Sequence, residues 1–176
     1  RGGPIHLTRD PGGSPGAEDI RMLLVEGDPD RWSGETEVLL FTAARRDHVE
    51  TLIAPMLARG TTVVSDRFAD STRVYQGAAR GELRGLVDRL HADFIALEPD
   101  LTFVLDMDPA QALDRGLARR TGEDRFEDLG LGFQEKLRAG FHALAAQEPD
   151  RITLIDASLS PEAIAADILA RVDGLR

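Results

Sequence analysis

The chain has 176 residues, 42% hydrophobic and 30% charged, with a formal net charge of −10 and no cysteine. That is about one domain with a proper core, and the balance excludes a disordered chain. The acidic excess argues against nucleic-acid polymers and anionic membranes as partners, and the lack of thiols excludes disulfides, thiolate metal sites and a cysteine nucleophile while fitting a reducing cytoplasm.

Taken in order, apolar strands alternate with amphipathic helices, the pattern of a parallel sheet flanked by helices in one α/β domain. Ile5–Thr8 reads as a strand, and Pro11-Gly12-Gly13 follows as a turn where backbone approaches a ligand closely. Helical patterns cover Ala17–Val25 and Glu35–Leu57, with Trp32 anchoring the loop between them. Thr62–Ser65 is a β-branched run that reads as a buried strand and delivers Asp66-Arg67 to its carboxyl end. Helical segments then cover Ser71–Gly77 and Leu83–Ala96, and Leu101–Asp106 reads as the next strand. A helix from Ala110 leads into an arginine-rich stretch, a long helix spans Leu131–Gln147, and Ile152–Ile155 is the last strand. Pro161 opens a terminal helix in a favoured first-turn position. No apolar run approaches a membrane span, and no signal peptide is visible.

Every strand ends in polar residues: Arg9-Asp10, Asp66-Arg67, Asp106 with Asp108, and Asp156. In open α/β sheets ligands bind at that edge. Arg67 has the donor fork to clamp a phosphate, and Asp66 is placed to hold magnesium directly or through water; a plain strand-end ion pair is the simpler reading. Ser71, Tyr75 and Gln76 lie four to five residues apart on a helical segment, and an amide such as Gln76 can read a base edge. Phe41 and Arg45 share a helix face at i and i+4, suited to stacking on a base while donating to its carbonyl; core packing for Phe41 and a solvated charge for Arg45 is the plainer alternative. Arg115, Arg119, Arg120 and Arg125, interleaved with Gly116 and Gly122, fit a lid over a polyphosphate at about 115–127, or equally a solvated helix end balanced by nearby acids. His6, His48, His91 and His142 show no metal-ligand spacing and read as packing or surface residues.

Together these segments resemble bacterial thymidylate kinase, nearly end to end. The family's Thr-Arg-Glu-Pro-Gly-Gly stands here as Thr8 to Gly13, with Asp10 in place of Glu. Its Leu-Leu-Phe-x-Ala-x-Arg-x-x-His is Leu39 to His48, and its Asp-Arg-Tyr/Phe with Ser and Tyr-Gln-Gly is Asp66 to Gly77, continued by Arg80-Gly81. Pro99 to Thr102 with Leu105-Asp106, Asp124 to Glu127, and Ile155 to Ala157 complete the series.

The resemblance implies a three-layer α/β/α fold of the P-loop NTPase type, transfer of the γ-phosphate of ATP to dTMP with magnesium, and a homodimer. It implies that Phe41 stacks on thymine, Arg45 bonds its O4, and Gln76 or Thr72 addresses the remaining base edge near Ser71. Tyr75 would lie under the deoxyribose, Arg67 would bind the dTMP phosphate, and Pro11 would line the pocket. Arg119 and Arg125 would reach the transferring phosphoryl group, Arg115 and Arg119 would bind ATP, and Asp156 and Ala157 would border adenine. One element of the family pattern is missing: no Gly-x-x-x-x-Gly-Lys-Ser/Thr occurs in these residues. That loop cradles ATP phosphates. The opening Arg1-Gly2-Gly3-Pro4 also lacks a methionine. We therefore expect an upstream strand, P-loop and helix in the natural protein, with the central first strand absent from these residues. A parallel sheet without it would expose wide apolar surface. Two alternatives stay open at this point: a kinase for another nucleoside or nucleotide, and a dTMP-binding module without catalysis.

Overall fold

A computed structural model describes residues 3–26, 31–79, 83–112, 114 and 130–174. The chain forms two compact units, Arg1–Glu98 and Pro99–Arg176.

In the first unit, β1 (Ile5–Arg9) and β2 (Thr62–Asp66) pair in parallel, with Ile5 opposite Thr62 and Arg9 opposite Asp66. The segment between them is α-helical: α1 (Pro15–Val25), α2 (Gly34–His48), and α3 (Ala54–Ala58), the last joined to α2 through a π-helical turn at Val49–Ile53. Each start has its chemistry. Pro15 stands at the first helical position of α1, and Ser33 caps α2 by accepting from the Thr36 N–H. Trp32 Nε1 donates to the Leu23 carbonyl at 2.9 Å, tying the second helix's approach to the first, as its position suggested. After β2 come α4 (Ala69–Val74), a π-helical turn at Tyr75–Ala79, α5 (Arg84–Leu90) and a further π-helical turn at His91–Ile95.

Val49, Ile53 and Ile95 form a core cluster with Leu52, Val63, Phe68 and Leu97 against it. Each buried aliphatic side chain here contributes about 1.5–3 kcal/mol relative to exposure. Val63 faces this cluster, but β2 is not the fully buried strand its composition suggests. Alternation turns Val64 outward together with Ile5 and Leu7, leaving one face of the β1–β2 pair open.

In the second unit, β3 (Thr102–Asp106) and β4 (Ile152–Asp156) pair in parallel, with Asp106 opposite Asp156. Between them runs α6 (Leu131–Gln147), with the bounds its periodicity predicts, and α7 (Pro161–Asp173) follows β4 behind a Ser160 cap. Phe133, Leu137 and Leu144 of α6 are buried, as are Ile152 and Ile155 of β4.

Candidate functional site

In the first unit the strand ends meet side by side. The Asp10 N–H donates to the Asp66 carbonyl at 2.9 Å, carrying the β1–β2 ladder one step into the turn. The Pro11-Gly12-Gly13 turn is held tightly: the Pro11 carbonyl accepts from Arg21 Nη1 at 2.8 Å, and the Gly13 N–H donates to Glu18 Oε1 at 2.8 Å. Glu18 also takes both Nε and Nη2 of Arg9, and these bonds hold its carboxyl below the usual carboxylate range. Gly13 has φ +86°, and a Cβ there would stand 2.3 Å from Thr8 Oγ1 and 2.4 Å from His48 Nε2. Only glycine fits both the conformation and the space. Thr8 Oγ1 and His48 Nε2 themselves lie 2.7 Å apart in a hydrogen bond, and burial pushes the His48 imidazole below its ordinary value. His48 is therefore a buried structural partner of the turn, in line with the packing role read from sequence.

Arg45, on α2, is the centre of the buried polar set. Its Nη2 donates to Asp10 Oδ1 at 2.7 Å and to Thr72 Oγ1 at 2.8 Å, and both ion-pair side chains are only 2% exposed. Its guanidinium carbon lies 5.2 Å from the Phe68 ring centroid. The plainer reading of Arg45 as a solvated surface charge is overturned: Asp10, 35 residues away, draws it inward. Asp10 Oδ2 and Arg45 Nε are buried without a protein partner, and such groups in a native interior call for a ligand or water. Phe41, one turn before Arg45, is half-buried rather than fully in the core. One further turn back, Glu37 is fully buried and accepts from Gln76 Nε2 at 3.4 Å.

Arg67 stands at the end of β2 with φ +67°, a left-handed conformation uncommon outside glycine. Such strain concentrates at functional positions. Its guanidinium lies 5.1 Å from the Tyr75 ring centroid. Asp66 is exposed beside it, while Ser71 and Tyr75 are half-buried and Thr72, Gln76 and Pro11 are buried. Thus one unit gathers Asp10, Pro11, Phe41, Arg45, Asp66, Arg67, Ser71, Thr72, Tyr75 and Gln76. Among the described residues, no group of three or more His, Asp or Glu is placed to hold a metal by itself.

Sequence reading missed three residues that support this set. Glu37 looked like an ordinary first-turn acid, although its spacing to Phe41 and Arg45 (four and eight residues) was a usable signal. Arg73 is buried among Asp70, Asp88 and Glu98. Burial disfavours its charge, but bonds to Glu98 and Asp70 outweigh that and raise its pKa. Glu98 shows the mirror balance: burial pushes its carboxyl up, while His91 and Arg73 pull it further down. The cluster pins α4, which carries Thr72, to α5 and to the end of the unit.

In the second unit, Asp106 accepts from Arg138 Nε and Nη2 at 2.8 Å each, with His142 Nε2 3.0 Å away, and the Arg138 bonds hold its carboxyl low. The Ala157 N–H donates to the Asp106 carbonyl, and Asp156 accepts from both the N–H and the hydroxyl of Ser158. Arg115, Arg119 and Arg125, with the rest of the expected lid, lie outside the described residues.

Parallel strands joined through helices, with a tight glycine turn at the end of β1, define an α/β protein. Comparison with known proteins makes this specific. The Thymidylate kinase family model matches residues 1–168. Curated thymidylate kinases from Jannaschia sp. (strain CCS1) and Dinoroseobacter shibae are 72% and 68% identical, over 92% and 94% of this chain and 77% and 80% of their own lengths. The crystal structure of thymidylate kinase from Ehrlichia chaffeensis superposes with a TM-score of 0.74 at 29% identity, over 96% of this chain and 79% of that one. The chain belongs to the thymidylate kinase family, and its α/β fold is of the P-loop NTPase type.

Proposed function

We infer that this protein is a thymidylate kinase, transferring the γ-phosphate of ATP to dTMP to give dTDP and ADP. The observation that carries the reading is the buried Asp10–Arg45–Thr72 link lying in one unit with Phe41 and the strand-end Arg67. It supplies directed donors for a base and a separate cation for a phosphate. In this reading Phe41 stacks on thymine, Arg45 and Thr72 donate to its carbonyl edge, and Gln76 meets the adjoining ring nitrogen. Ser71 lies along that edge, Tyr75 packs under the deoxyribose, Pro11 lines the pocket, and Arg67 grips the dTMP phosphate.

Phosphoryl transfer asks little covalent chemistry of the protein; positioning and charge stabilisation dominate. Arg67 would hold the attacking phosphate oxygen in line, and Arg119 and Arg125 would neutralise charge on the transferring group. Arg115, Arg119, Asp156 and Ala157 would serve the ATP side. Asp66 suits magnesium, which keeps most of its water and needs only one or two carboxylates beside substrate phosphates; bound there, the ion would supply charge neutralisation. A cytoplasmic homodimer completes the proposal; no described helix is long and apolar enough to cross a membrane.

The test is a substrate panel on the full-length protein. dTMP should turn over at least about tenfold more efficiently than dCMP or dAMP, as expected where a mismatched base leaves buried polar groups unpaired. Equal turnover across the panel would refute the thymine assignment.

A further inference from the structure

Glu37, Phe41 and Arg45 recur every four residues on α2 and share a face. Thr72 and Gln76, also four apart, meet them in order: Arg45 Nη2 donates to Thr72 Oγ1 at 2.8 Å, and Gln76 Nε2 donates to Glu37 Oε2 at 3.4 Å. Both members of the second pair are buried, Glu37 at 0% and Gln76 at 1% exposure. These two rungs fix more than position. They fix which way each hydrogen bond can point.

A guanidinium only donates, so the Thr72 hydroxyl that accepts from Arg45 keeps its own proton to give onward. A carboxylate only accepts, so the Gln76 amide must turn its N–H2 toward Glu37. Turned the other way, it would set carbonyl against carboxylate where both side chains are buried from bulk solvent. Gln76 Oε1 is thereby left as the group facing away from Glu37. The pocket reads donor, donor, acceptor. A 4-oxo pyrimidine presents an O4 acceptor beside an N3–H donor and matches at both places. A 4-amino pyrimidine presents an amino donor beside an N3 acceptor and clashes at both.

We propose that Glu37 is a positioning residue that sets base specificity: it orients the Gln76 amide so that the pocket selects 4-oxo over 4-amino pyrimidine nucleotides. This rests on the base-reading roles proposed above for Arg45, Thr72 and Gln76, and it deepens them. Glu37 touches no substrate itself. The 5-methyl group plays no part, so the discriminating pair is dTMP and 5-methyl-dCMP, which differ only along the edge in question.

The experiment is calorimetric titration of both nucleotides into the full-length protein and its Glu37→Gln, Glu37→Met and Gln76→Leu variants, with melting temperatures recorded for each. Glu37→Gln keeps size and burial but can donate as well as accept, so Gln76 is free to turn round. Its preference for dTMP should fall at least about tenfold, chiefly through tighter 5-methyl-dCMP binding. Glu37→Met holds neither orientation and should lose a similar preference through weaker dTMP binding; it carries the test should the glutamine variant fail to fold. A collapse of preference in Gln76→Leu with none in either Glu37 variant overturns the proposal while sparing the base-reading roles. No change in Gln76→Leu overturns those roles themselves. Equal weakening of both nucleotides in the Glu37 variants, with a lowered melting temperature, marks a merely structural residue and also overturns it.

Discussion

Arg45 lies buried between Asp10 and Thr72, whereas Arg67 stands exposed on a left-handed backbone at the end of β2, its guanidinium over the Tyr75 ring. The contrast follows from what each is proposed to meet. A neutral base edge offers weak bonds, so selectivity needs donors that are dry and already aimed. A phosphate brings its own charge, and an arginine can grip it from a wetter position. In the proposed reading the same residue type would serve recognition in one place by being fixed and in the other by being exposed.

Removing the anchor of the buried arginine should break the comparison most severely. Asp10→Ala leaves the Arg45 cation buried without its ion partner and should destabilise the fold by about 3–5 kcal/mol in urea unfolding. A loss below about 1 kcal/mol would mean that Arg45 does not depend on Asp10 for its burial. At the exposed arginine, the effect should move from stability to binding. Arg67→Ala should weaken dTMP affinity by roughly 1.5–3 kcal/mol with little change in melting temperature. Arg67→Gly sharpens the point: it should bind as poorly, yet gain about 1 kcal/mol of stability as left-handed strain is relieved. A less stable glycine variant would remove strain from the account of Arg67.

The smallest effect concerns the cluster behind the pocket. The Glu98 carboxyl is held below its ordinary value of 4.5 in the folded chain. Its contribution is thus complete above about pH 4.5 and is lost as the pH falls below that, because the unfolded chain takes up the proton first. Glu98→Gln should flatten the acid limb of the stability curve and leave the neutral region's slope unchanged. An unaltered acid limb would show that Arg73 and His91 do not hold this charge.

The sequence declared its elements more plainly than its contacts. The β-branched run at Thr62, the Pro161 start and both ends of Leu131–Gln147 were legible because local chemistry decides them. The motif series also made Phe41, Arg45, Arg67 and Gln76 candidates. What could not be read was the pairing. Arg45 with Asp10 spans 35 positions, Gln76 with Glu37 spans 39, and Arg73 with Glu98 spans 25. Charge patterning along one helix cannot reveal an acceptor delivered by another element. Val64 misled in the opposite sense, since a β-branched residue suits a strand whether or not its face is covered.

Gly13 bears on how the first unit is held together. Its backbone is wedged against Thr8 and His48, leaving no space for even a methyl group. The turn after β1 and the carboxyl end of α2 consequently meet at a point that admits no side chain, so any larger residue there would push the two apart. The turn that carries Pro11 is thereby seated against the helix that carries Phe41 and Arg45.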